Sequence, residues 1–260
     1  MNPYSRNSES TSQASRNIRQ RSSITNKEND MGKIVAIGGG RYSNGEIINI
    51  FEKIVSLAEK KNPKVLFIPT AGYDDINGDE DIQRSFEKYG CQYDILYLTD
   101  EKRTVDDIRS VILGADIIYV GGGDVRFMME TWRKTGADKA LVEAYNSGKI
   151  MSGYSAGAVC WFDVGYDDCG PDHSFMFCDC LGILPYCACP HYESDHWQTF
   201  KKAILTRTEQ GLAVENGAAL LFIDGMIGTI RGSDGGDVWI LDKNNELNIS
   251  EIVDKMNRNA

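Results

Sequence analysis

The sequence predicts an α/β protein built on a doubly wound, mostly parallel sheet. Three observations carry the prediction. Short apolar runs alternate with amphipathic stretches from Lys33 to Ser152, the pattern that consecutive βαβ units produce. Two glycine triplets, Gly38–Gly40 and Gly121–Gly123, directly follow apolar runs. They therefore fall at carboxyl ends of strands, where open α/β sheets hold their ligands. A third run ends in Gly153-Tyr154-Ser155-Ala156-Gly157, a tight turn between a strand and an alanine-rich helical start.

The elements follow in order. Lys33–Ile37 (KIVAI) reads as a buried strand, and Glu46–Lys60 carries Ile47, Ile50, Ile54, Leu57 and Ala58 at helical spacing. Lys64–Ile68 (KVLFI) is a second strand, closed by Pro69. Ile82–Tyr89 is a short helix and Tyr93–Leu98 a third strand. Val105–Leu113 is helical, Asp116–Val120 (DIIYV) is a fourth strand, Ala137–Ser147 a helix and Lys149–Ser152 a fifth strand. Beyond the serine the pattern is less regular. Asp195–Thr208 reads as a helix, and Ala218–Ile223, Met226–Ile230 and Val238–Leu241 as closing strands of a meander.

Composition narrows the function. The 260 residues are 42% hydrophobic and 25% charged, ordinary for a globular protein. A net charge of −10 argues against nucleic acid or an anionic membrane as the main partner. No apolar run approaches the roughly 20 residues that span a bilayer, and the N-terminus lacks the apolar core of a secretory signal. Seven cysteines, an odd number, do not suggest a fully paired disulfide framework, so a reducing cytoplasm is the simplest setting. Residues 1–30 are rich in serine and poor in large apolar side chains. They are expected to be a disordered extension or leader, with 31–260 as a single folded domain.

The sharpest chemical signal is Ser155. In a G-x-S-x-G elbow the turn lifts the serine hydroxyl clear of the sheet. A helix starting at Ala156 would turn its positive end and free N–H groups towards a developing oxyanion. A serine nucleophile needs a base, and the chain offers three histidines: His173 in an acidic loop, His191 in Cys189-Pro190-His191-Tyr192, and His196 at the start of the expected helix. His191 is the preferred base. The α/β-hydrolase order, in which the histidine lies near the C-terminus, is unavailable because no histidine follows His196.

Together VGGGD at Val120–Asp124, GYSAG at Gly153–Gly157 and CPHY at Cys189–Tyr192 resemble the serine peptidases of family S51, which includes aspartyl dipeptidase (dipeptidase E) and cyanophycinase. The resemblance covers roughly residues 33–241. It implies a flavodoxin-like, three-layer sandwich related to class I glutamine amidotransferases, with serine replacing their cysteine. It also implies Ser155 as nucleophile, His191 as base, and the N–H groups of Gly123 and Ala156 as the oxyanion hole. For the acid that orients the histidine, Glu215 resembles one family position, and Asp168 or Asp172 the alternative in the loop after the nucleophile. Short peptides are the implied substrates, and no metal or organic cofactor is called for.

Other residues invite roles. Arg126, just past the oxyanion loop, is placed to grip a substrate carboxylate, or to be a surface arginine on the next helix. Tyr192 and Trp197 are the aromatic candidates for a substrate wall. Cys178, Cys180, Cys187 and Cys189 form C-x-C-x₆-C-x-C. That spacing makes a poorer zinc hairpin than C-x₂-C, so free thiols are expected and no metal. Two rival functions remain open at this point: an esterase or amidohydrolase on the same residues, or a non-catalytic binding protein with a redox-sensitive cysteine loop.

Overall fold

Alternation along the strands sorts the chain into layers. The structure, a computed structural model, describes residues 31–42, 45–100, 102–233 and 235–258. The expected extension over 1–30 lies outside these. In chain order the first half runs β1 (Lys33–Ile37), α1 (Ile48–Ser56), β2 (Lys64–Ile68), α2 (Glu80–Glu87), β3 (Gln92–Ile95), α3 (Val105–Gly114), β4 (Ile117–Val120), α4 (Val125–Thr135), α5 (Ala137–Asn146) and β5 (Ile150–Tyr154). These strands lie parallel in the order β1-β5-β4-β2-β3.

Val35 and Ile37 of β1 and Ile117 and Tyr119 of β4 point to one face, where they pack on Ile50, Phe51 and Ile54 of α1 and Ile82 and Phe86 of α2. Their neighbours Ile34, Ala36, Ile118 and Val120 point to the other face, against Ile108 and Ile112 of α3, Met128 and Trp132 of α4, and Leu141 of α5. Period-two alternation with apolar residues on both faces is what a sheet covered by helices on both sides requires. Local signals start and stop the helices. Thr104 and Asp107 form a reciprocal capping box at α3. The Asp124 carboxylate accepts the Phe127 N–H at 2.8 Å to cap α4. Gly136, at φ +79°, then ends α4 and begins α5.

The second half continues with α6 (Ala156–Val159), β6 (Phe162–Asp167), β7 (Met176–Asp179), β8 (Leu184–Cys189), α7 (Phe200–Ala203), β9 (Gly211–Val214), β10 (Ala218–Ile223), β11 (Met226–Arg231), β12 (Val238–Leu241), β13 (Glu246–Asn248) and α8 (Ile249–Arg258). Strands β10 and β11 extend the first sheet antiparallel beyond β1, joined by a two-residue turn at Asp224-Gly225, both at positive φ. A second sheet has the order β13-β12-β9-β8-β6-β7. One of its faces shares the large core through Leu184, Ala188, Leu212 and Ile240. The other is covered by Tyr192, Phe200 and Ile204.

Two expectations need correction here. Val238–Leu241 is not the third strand of a meander with β10 and β11, because it pairs with β9 and β13 in the second sheet. The expected helix over Asp195–Thr208 is three short turns, Trp197–Thr199, α7 and Ile204–Thr206. These need bury only Phe200 and Ile204.

Candidate active site

The site is assembled on the end of β1. Three consecutive carbonyls of that strand end hold three separate segments: Ile37 O accepts the Ser155 N–H at 3.0 Å, Gly38 O the His191 N–H at 3.3 Å, and Gly39 O the Gly217 N–H at 3.1 Å. Ser155 lies between β5 and α6 at φ +54°, ψ −120°, a conformation that costs on the order of 1–3 kcal/mol and persists only where the surroundings impose it. The surroundings are tight: a Cβ on Gly157 would lie 2.2 Å from Val120 O, and one on Gly153 2.5 Å from Gly157 O. The glycines of the elbow let the turn press against the end of β4.

His191 follows β8 and also has positive φ, +52°. Its Nε2 lies 2.8 Å from Ser155 Oγ. On the other side of the ring, Nδ1 lies 2.7 Å from Asn216 Oδ1. The first glycine triplet makes room for that pair, since a Cβ on Gly39 would fall 1.9 Å from Asn216 Oδ1 and 2.6 Å from His191 Nδ1. Asn216 is itself held by Glu193, whose Oε2 accepts the Asn216 backbone N–H at 2.8 Å and whose Oε1 accepts from the side-chain amide. The indole of Trp197 packs on the His191 ring, with centroids 5.1 Å apart, and Phe175 meets that indole edge-on at 4.9 Å.

The acids expected behind His191 are elsewhere. The Glu215 carboxylate accepts from Trp239 Nε1 at 2.8 Å and from the Asp237 N–H at 2.9 Å. It braces β9 to the segment that opens β12, and burial raises its pKa. Strand alternation explains the one-residue difference: Glu215 turns into the second sheet, and Asn216 turns out towards the histidine. Asp168 and Asp172 are exposed on the loop after β6, and the Nδ1 contact they would need is made by Asn216. Nothing in the composition pointed to Asn216 or Glu193. The available signal was position, a short polar turn at the carboxyl end of a buried strand.

Around the serine, Ala156 opens α6, so its N–H has no partner within the helix. Gly123 sits at φ +135° against Ala71 and Gly72. Among the described residues neither N–H donates to a backbone carbonyl. Tyr154 accepts from the neighbouring Gly122 N–H and is hydrogen-bonded to Asp79, and burial pushes its phenol up to about 12. Arg126 is exposed in the first turn of α4, close to Tyr73. Tyr192 is not a site wall: its ring is 1% exposed in the second-sheet core and its hydroxyl donates to Glu246 at 2.7 Å.

The cysteines scatter. Cys178 Sγ lies 3.2 Å from Cys169 Sγ, Cys180 packs near Gly165, and Cys189 is buried beneath the His191 loop. All seven are free thiols. Among the described residues no three histidine, cysteine or acidic side chains converge as a metal site, and no helix is long and apolar enough to cross a membrane.

A serine on a strained strand–helix turn, in hydrogen-bond contact with a histidine and beside free N–H groups, is the arrangement of a serine hydrolase. The chain belongs to peptidase family S51, which it matches over residues 34–230, and it is a serine-type peptidase on a flavodoxin-like, class I glutamine amidotransferase-like sandwich. It is 33% identical to the uncharacterized peptidase YgaJ of Bacillus subtilis (strain 168) over 215 residues, 80% of this chain and 91% of that one. It is 27% identical to the uncharacterized peptidase Lin0382 of Listeria innocua over 189 residues, 69% of this chain and 88% of the relative. Its fold matches the crystal structure of a peptidase from an acI-B1 Actinobacterium with a TM-score of 0.65, at 20% identity, covering 84% of this chain and 93% of that one.

Proposed function

We propose that this peptidase hydrolyses short peptides, dipeptides foremost, through an acyl-enzyme on Ser155. The Ser155 hydroxyl attacks the scissile carbonyl as its proton passes to His191 Nε2. The N–H groups of Gly123 and Ala156 bind the oxyanion, and His191 returns the proton to the leaving amine. Water then repeats the two steps to release the acyl half. Asn216, rather than Glu215, holds the histidine from behind. The observation that carries this reading is the 2.8 Å contact between His191 Nε2 and Ser155 Oγ, within the reach a general base needs.

Arg126 suits a substrate carboxylate, and Trp197 the wall against which a side chain would lie. Free thiols throughout suit a reducing cytoplasm. The test is a dipeptide panel, including Asp-X and β-aspartyl members, offered to wild type and Ser155→Ala side by side. Cleavage by wild type that falls at least about a thousandfold in the variant is expected. Equal cleavage by both would sink the mechanism. Ester hydrolysis without peptide hydrolysis would move the reading to an esterase.

A further inference from the structure

Behind His191 stands a neutral amide. A carboxylate there would fix the imidazole tautomer and offset the charge of the imidazolium. An amide can do the first only if its oxygen, and not its NH2, faces the ring, and the two ends have nearly the same shape. Glu193 removes that ambiguity. An ionised carboxylate only accepts hydrogen bonds, and this one takes both the backbone N–H and the side-chain NH2 of Asn216. The amide oxygen is thereby turned to His191 Nδ1 at 2.7 Å, Nδ1 carries the proton, and Nε2 offers its lone pair to Ser155 at 2.8 Å. His191 and Glu193 stand two residues apart on one turn, and they pinch Asn216 between them. The turn is pinned by the Ser194 N–H on His191 O at 3.0 Å and by Gln198 Nε2 on Tyr192 O at 2.9 Å.

We propose that Glu193 is a positioning residue for the serine–histidine pair and acts through Asn216, selecting the amide orientation that makes His191 Nε2 a base and relaying part of a carboxylate's charge to the ring. The proposal rests on the reading of Ser155 as nucleophile and His191 as its base. Hydrogen-bonded chains of this kind polarise one another, so the contribution of Glu193 depends on what stands at position 216.

The experiment measures the second-order rate of Ser155 phosphonylation by a fluorophosphonate probe, followed by intact mass. The Oγ–P bond forms, the P–F bond breaks with loss of fluoride, and the serine proton passes to His191. Glu193→Gln is expected to slow the reaction about tenfold in the otherwise native chain. It should add nothing in an Asn216→Ala background. In an Asn216→Asp background, where two carboxylates would face each other, Glu193→Gln should speed the reaction, reversing its sign. A merely structural Glu193 would slow all three backgrounds by the same factor, and that result, or no loss in the native background, overturns the proposal. Labelling that survives Ser155→Ala would overturn the nucleophile reading itself, an outcome visible apart from any effect at Glu193.

Discussion

Asp167 closes β6 with its side chain 2% exposed and its Oδ1 without a partner. Burial, helped by the nearby Cys169, Asp168 and Asp124, pushes its pKa up to about 9. At pH 7 the folded chain therefore keeps a proton there that the unfolded chain has lost. The contribution to stability is fully present below the ordinary value of 3.8 and declines as pH rises towards about 9. Each pH unit in that window is worth about 1.4 kcal/mol, so the stability lost between 3.8 and pH 7 is at most about 4 kcal/mol. Relaxation and water penetration in real interiors reduce this to about 2 kcal/mol. Asp167→Asn keeps the shape and still offers an N–H to Asp168, while removing the titration. Thermal melts at pH 5, 7 and 9 should show the variant near wild type at pH 5, about 4–8 °C higher at pH 7, and further ahead at pH 9. Parallel pH profiles, or a variant that melts lower at pH 9, would refute the burial argument.

Three more outcomes follow from the same contacts. Gly39→Ala sets a methyl on Asn216 Oδ1 and the His191 ring, so fluorophosphonate labelling of Ser155 should slow about a hundredfold. Labelling at the wild-type rate would mean that the pair tolerates displacement. Glu215→Gln leaves one of its two donors facing an NH2. A loss of about 1–2 kcal/mol in urea unfolding is expected, with peptide hydrolysis within about threefold of wild type, whereas a loss beyond about a hundredfold would return Glu215 to the catalytic machinery. Trp132 fills the core between α4 and the end of β2 and donates Nε1 to Thr70 Oγ1 at 3.2 Å. Trp132→Ala should cost about 3–5 kcal/mol in the same assay.

The first sheet was legible because β1, β2, β4 and β5 are short apolar runs punctuated by glycine or proline, with amphipathic stretches between. Segments such as KIVAI and KVLFI admit few other readings. The second sheet was not, because FDVGYD and LPYCAC mix aromatics, acids, glycine and proline, and bury each face against a different partner. Helix α4 was expected only as a helix around Arg126, without bounds, since its charged outer face hides Val125, Met128, Met129 and Trp132, the helically spaced set that it buries. In the site, Ser155 and His191 announce themselves by residue type and context. Asn216 does not, because the side chain that meets His191 is set by which of two adjacent residues a strand end turns outward. The expectation of Glu215 came from its likeness to a family position for the acid. The role of Gly38–Gly40 was equally hidden, since its contribution is made by backbone carbonyls and by the absence of a side chain.

The three carbonyls of Ile37, Gly38 and Gly39 act as a ruler for parts that arrive from distant stretches of chain. Because Ser155, His191 and Gly217 hang from consecutive carbonyls at and just beyond the end of β1, their spacing is set by that short stretch of backbone more than by the length of the loops between them. The loop at 168–174 and the connection at 206–210, which touch neither Ser155 nor His191, can therefore lengthen, shorten or change composition without altering the distance between the two. A lineage built on this frame is free to rewrite what it cuts, loop by loop. What it cannot shift, by even one residue, is a strand that bears no reactive group at all.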